Sequence, residues 1–196
     1  MPCFWGLQDG KRTGRLKMSA DIFSKLGELG AQEVQHLNGS LLSHLQGVQT
    51  LLAQWGNREA LCTAGLYHAV YGTIAFDNPL IDLKNRPAIA ALIGQEAEQI
   101  AYHFGACDRD KLYPQIGMAD TIRFPNRFTG ANEKIAPQML NDILELVLAN
   151  ELEIVSNDPD FLEQHRAWFV ELFERFNPFV SDAGFQTYRQ IFEAKV

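Results

Sequence analysis

Residues His36 to Phe76 read HLNGSLLSHLQGVQTLLAQWGNREALCTAGLYHAVYGTIAF. Apolar residues recur at Leu37, Leu41, Leu45, Val48 and Leu52, the three-and-four spacing of an amphipathic helix. The pattern predicts one helix from about Gln32 to Trp55, ended by Gly56 and Asn57. His44 stands on the stripe between Leu41 and Val48. His36 lies two turns earlier, about 80° around the axis, so both rings reach one side of the predicted helix. A second helix is expected from about Glu59 to Tyr71, where Leu61, Ala64 and His68 share a face and Gly72-Thr73 stops the run. Three of the five histidines fall in this stretch. Each sits among leucines or alanines, where a buried polar ring needs a partner.

The flanking chain is read as helical as well. Residues 1–18 show no periodicity and form a predicted arm, with a basic cluster at Lys11, Arg12, Arg15 and Lys17. Helices are predicted over Ser19–Leu29, Pro87–Gly105, Pro137–Ser156, Pro159–Phe176 and about Ala183–Ala194, from apolar stripes bounded by Pro, Gly or Ser. The segment Ala106–Ala136 is irregular and long for a connection, which makes it a candidate lid or substrate loop. No strand-period run or repeat occurs. The expectation is an all-α protein, one domain over residues 19–196, with six or seven helices.

Composition narrows the function classes. The chain has 196 residues, 46% of them hydrophobic and 21% charged, which suits a globular domain with a sizeable core. A net charge of −7 argues against nucleic-acid partners and anionic membrane surfaces. Cys3, Cys62 and Cys107 are far apart and suggest neither a disulfide framework nor a cysteine zinc site. With no signal-peptide pattern and no apolar run of about 20 residues, a cytoplasmic protein is expected. A homodimer is left open.

Three inward imidazoles on adjacent helices point to a metal site, with His36, His44 and His68 as candidate ligands. Iron, manganese and zinc are the divalent ions considered. Such an ion needs a carboxylate near it. Glu96, Glu98 and Glu151 are the candidates, and Glu151 is the most anomalous because it interrupts an apolar stripe. Tyr71 and Thr73 flank the turn after His68 and could present hydroxyls to the same cavity. Arg127, like Arg123, could clamp an anionic group from the long loop.

The motif also resembles the HD-domain superfamily, in which one helix carries a His and the next ends in A-x-L-x-H-D. Here the corresponding residues are His44-Leu-Gln-Gly-Val and Ala64-Gly-Leu-Tyr-His68-Ala69. A closer likeness is to stand-alone HD-like domains with H-L-x-G-(T/V) and G-L-x-H-(S/A)-x-Y-G-T motifs. It extends to the G-x-E-A-E run at Gly94–Glu98 and to A-N-x-x-E at Ala149–Glu153. The resemblance implies metal-dependent phosphohydrolysis, or iron-dependent oxygenation of a small molecule. Ala69 and Asn150 stand where the superfamily has metal-binding Asp residues.

The expectation drawn from these residues is a small-molecule enzyme with one divalent metal. His44 and His68 are its ligands, with His36 or Glu98 completing the set. Glu98 or Glu151 takes a proton, with Tyr71 as a further catalytic group, and Tyr71, Thr73 and Arg127 contact the substrate. A hydrolase is favoured over an oxygenase. The rival is a metal-free HD-like module that binds a small ligand or a partner.

Overall fold

The structure is a computed structural model describing residues 22–32, 35, 36 and 39–193. The predicted arm, 1–18, lies outside the described residues. The fold is all-α, with nine helical segments among the described residues. They are α1 over 22–28, α2 Leu41–Gln54, α3 Glu59–Tyr67, α4 Arg86–Ile93, α5 Gln95–Ala106, α6 Arg109–Leu112, α7 Pro137–Asn157, α8 Pro159–Phe176 and α9 Asp182–Glu193. None is long and apolar enough to cross a membrane, among the described residues.

Two differences from the expected boundaries bear on the site. The predicted Gln32–Trp55 helix begins only at Leu41. Ahead of it, the backbone of Gln35–His36 pairs antiparallel with Gly39–Ser40, His36 facing Gly39 and Gln35 facing Ser40. The reason is a start signal that the leucine spacing obscured. Ser40 caps α2, its side chain accepting from the Ser43 amide at 3.2 Å, and a Ser in this role competes with continued helix. His36 is therefore on a hairpin, not two turns up the helix that carries His44.

The predicted Pro87–Gly105 helix is likewise two helices. Gly94 takes φ 88°, a left-handed conformation that breaks the hydrogen-bond ladder and that Gly adopts without strain. The long segment Ala106–Ala136 holds α6, a one-turn 3-10 helix at Tyr113–Gln115, and a short hairpin pairing Phe124–Pro125 with Asn132–Glu133. These two features raise the helix count above the six or seven expected.

Helix α7 is the centre of the packing. Its residues from Ile143 to Asn150 are all buried, so it is apolar all round, as an internal helix must be. Helices α2, α3, α5, α8 and α9 pack against it. A layer of Phe169, Phe173, Phe176, Tyr188 and Phe192 joins α8 to α9 in edge-on and stacked ring contacts. Against α2, α3 comes close at Gly65, where an added Cβ would stand 2.6 Å from Leu52 Cδ1.

A second close approach sets where α5 can lie. A Cβ on Gly105 would stand 2.7 Å from the carbonyl oxygen of Gly72, and that backbone atom cannot rotate away. Gly105→Ala is therefore expected to lower the unfolding free energy by about 1–3 kcal/mol, the cost of overpacking, although Ala is the better helix former by about 1 kcal/mol. Urea denaturation reads the difference. An unchanged or raised midpoint would show that the two segments separate without cost.

Candidate functional site

Leu41, Leu45, Val48 and Leu52 of α2 are fully buried, and His44 sits among them at 5% exposure. Its ring meets two side chains of α7. Nδ1 is bonded to the Glu153 carboxylate, and Nε2 lies 3.1 Å from Asn150 Oδ1. Asn150 and Glu153 are three residues apart and so share one face of their helix. Gly47 makes the room: a Cβ there would come within 2.7 Å of Glu153 Cγ. Glu153 also accepts from Asn157 Nδ2 at 2.8 Å.

The chain of polar contacts continues inward. Asn150 Nδ2 donates to Glu151 Oε1 at 3.1 Å, and Arg109 Nη1 reaches the same oxygen at 3.4 Å. This fixes the orientation of the amide. Its NH2 faces Glu151, so its oxygen faces His44. The run Glu153–His44–Asn150–Glu151–Arg109 thus ties α2, α7 and α6 together through side-chain contacts.

His68 stands at the C-terminal end of α3, 2% exposed. Its Nδ1 donates to the Gly65 carbonyl at 2.7 Å, which leaves Nε2 as the nitrogen with the lone pair. The ring meets His44 edge-on, with centroids 5.2 Å apart. It also packs against Phe104 at 4.9 Å. The Arg109 guanidinium carbon lies 4.6 Å from the Phe104 centroid on α5, in cation–π range. Burial shapes the acid–base chemistry here. It raises Glu151 above the ordinary carboxylate range, against the pull of Arg109, the Asn150 amide and His44. The Cys107 thiol is pushed up to about 12, again by burial, with Arg109 opposing. Tyr113 is raised for the same reason.

Of the predicted site residues, His44 and His68 come together and Glu151 lies one residue beyond them in the relay. The backbone of His36 is in the hairpin, and its side chain lies outside the described residues. Glu98 has a different role from the one expected. It is 1% exposed and receives Arg86 Nε and Nη2 at 2.6 and 3.0 Å, with the Tyr71 hydroxyl donating to it at 2.8 Å. Arg86 in turn stacks 3.5 Å from the Tyr102 centroid. Glu98 and Tyr71 are thus bound to each other and to a guanidinium, not to the histidines. Thr73 holds a turn, its hydroxyl accepting from the Phe76 amide at 3.0 Å. Arg127 donates from Nε to the Gly105 carbonyl at 2.7 Å and lines a cleft with Tyr71.

Four of these residues, Glu153, Asn150, Arg109 and Arg86, are not among the candidates that the sequence offers. Glu153 and Asn150 were legible in the A-N-x-x-E spacing, which puts both on one helix face. Arg109 had no local signal, because its partner is 42 residues away. Arg86 is similar: only its position just before Pro87 marks it. A further polar cluster also went unread. Arg58 grips Asp142 at 2.7 and 2.5 Å and Glu96 at 2.7 Å, while Glu145 accepts from Asn57 and from the amide and hydroxyl of Ser181.

Among the described residues no group of three or more His, Cys, Asp or Glu side chains gathers closely enough to hold a metal ion. Ala69, buried beside His68, offers no ligand. Glu153 approaches His44 on Nδ1, the nitrogen away from Asn150. The described side chains do not fit the two-metal centre implied by the HD resemblance.

Residues 25–109 match the family model described as a domain of unknown function, DUF6817. The match covers less than half of the chain. It takes in α2 to α5 and Arg109 but not α7. No curated protein and no solved structure matches the chain.

Two outcomes follow from the relay. Glu153→Ala would leave the buried His44 Nδ1 without its partner, and a loss of about 1–3 kcal/mol in unfolding free energy is expected. A loss within error would show that this contact does not hold α2 against α7. The second outcome concerns pH. Folding raises Glu151 above its ordinary 4.5, so between that value and the folded one the native state binds more protons than the unfolded chain. Stability then falls as pH rises through this window and levels off above it. Glu151→Gln, neutral throughout, is expected to gain on the wild type as pH climbs past about 4.5. A constant offset across the window would show that Arg109 keeps Glu151 ionised.

Proposed function

We propose that this chain is an HD-like helical domain that binds a small organic molecule and works without a catalytic metal ion. One observation carries the reading: the relay Glu153–His44–Asn150–Glu151–Arg109 is closed by protein groups alone. A divalent ion at His44 Nε2 would have to displace the contact with Asn150 Oδ1. It would also add two positive charges beside Arg109, an unfavourable placement in a buried site. Glu98 and Glu151, expected as proton acceptors for a metal-bound water, are each engaged by an arginine. The free thiols Cys62 and Cys107 suit the reducing cytosol, where we place the domain.

One observation favours the metal-dependent rival, whether hydrolase or oxygenase. Both rings are anchored through Nδ1, His44 by a carboxylate and His68 by a backbone carbonyl, which is how metal-binding histidines are oriented. In that reading His44, His68 and the Asn150 oxygen would hold iron, manganese or zinc, and the ion would activate water or dioxygen.

Elemental analysis of protein purified without chelator separates the two. The expected result is no stoichiometric transition metal, together with a melting temperature unmoved by EDTA or by added manganese or zinc. About one metal per chain, lost in both His44→Ala and His68→Ala, would overturn the metal-free reading and favour the enzyme.

A further inference from the structure

A cleft of about 450 Å³ opens between the segment after α3 and the loop that carries Arg127. Tyr71, Asp77, Ile81, Asp82, Arg127 and Phe128 line it. Its volume is that of a small-molecule pocket, and its walls are mainly apolar or aromatic. The polar groups around it are matched, with one exception.

The Tyr71 hydroxyl at the floor is given to Glu98, and Glu98 is neutralised by Arg86. Asp82 accepts from the Lys84 amide at 2.8 Å and lies 3.3 Å from the Lys84 ammonium. Arg127 is the exception. Its backbone amide bonds to the Ala106 carbonyl at 2.8 Å, and its Nε to Gly105 at 2.7 Å. These contacts, with a guanidinium–Phe128 centroid distance of 4.5 Å, fix where the cation sits. Its counter-charge is poor, however. Nη1 is 4.0 Å from Asp77, whose side chain is 86% exposed, and exposed pairs of that kind contribute little. Nη2 is shielded from solvent and has no hydrogen-bond partner among the described residues. Nη1 is therefore the atom that Arg127 can offer to a ligand in the cleft.

We infer that this cleft is a binding site for a small organic carboxylate with a ring or short aliphatic body. The carboxylate accepts from Arg127 Nη1, taking over the place that Asp77 fills weakly, and the body lies against Phe128 and Ile81. Arg127 is held by the backbone on one side and stacked on the other. It is therefore preorganised, and little entropy is lost on binding. The inference rests on the small-molecule half of the reading above and is independent of whether the histidine pair takes a metal.

Benzoate is the probe, and benzyl alcohol, of the same shape without the charge, is the control. Amide spectra of the full chain, titrated with each, are expected to show saturable shifts at residues 77–83 and at Phe128 with benzoate. Benzyl alcohol should bind there at least about tenfold more weakly, the loss of a charge-assisted hydrogen bond. Arg127→Met should abolish the benzoate shifts. Because Arg127 also ties down the loop, Asp77→Asn provides a second arm that leaves the loop intact. Removing the competing carboxylate should tighten benzoate roughly two- to fivefold, the worth of an exposed ion pair. Absence of saturable shifts in the cleft, equal binding of benzyl alcohol, or unchanged or weaker binding in Asp77→Asn would overturn the inference. Each of these failures leaves the metal analysis, which reads the histidine pair, untouched.

Discussion

Helix α7 runs through the interior with leucine, isoleucine and valine on every side, yet it also carries Asp142, Glu145, Asn150, Glu151 and Glu153. A charge taken from water and left unpaired costs several kcal/mol, so each of these groups must be met by another segment. Arg58 meets Asp142, and Asn57 and Ser181 meet Glu145. His44 meets Asn150 and Glu153, and Arg109 meets Glu151. The partners come from α2, the start of α3, α6 and the loop before α9. Sliding α7 by one residue would break all of these pairs at once. Apolar burial supplies the drive to collapse, while the polar pairs select one register out of several that a helix apolar all round would tolerate.

The same constraint shapes the candidate site. The superfamily that the sequence resembles has metal-binding Asp residues where this chain has Ala69 and Asn150. On the proposed reading, contacts among Glu153, His44, Asn150, Glu151 and Arg109 stand in place of an ion. Asn150 is what makes the exchange workable. An amide can accept from His44 and donate to Glu151 in the same geometry, whereas an Asp there could only accept and would repel Glu151.

Legibility followed the range of the interaction. The stripe Leu41, Leu45, Val48 and Leu52 is periodic within one helix, and so His44 was read correctly as facing inward, as was His68. The anomaly at Glu151 was visible because a carboxylate interrupted an apolar stripe. The two boundary differences are also local: Ser40 caps the start of α2, and Gly94 divides one expected helix into two. Glu98 is a candidate carboxylate from its place beside an apolar stripe, but its partner is not legible, since Arg86 stands directly before Pro87 in a stretch with no pattern of its own.

By itself, the sequence determined that the chain is all-α, which helices present an apolar face, and that two histidines lie inside. Those properties depend on residues three or four positions apart. Only the tertiary structure decided which polar group meets which: His44 with Glu153 across 109 residues, Arg109 with Glu151 across 42, and Arg86 with Glu98 across 12. Pairing of that kind is set by how the helices cross. Many carboxylates and several cations were available on the chain, and spacing along it carries no information about which of them the packing would bring within reach.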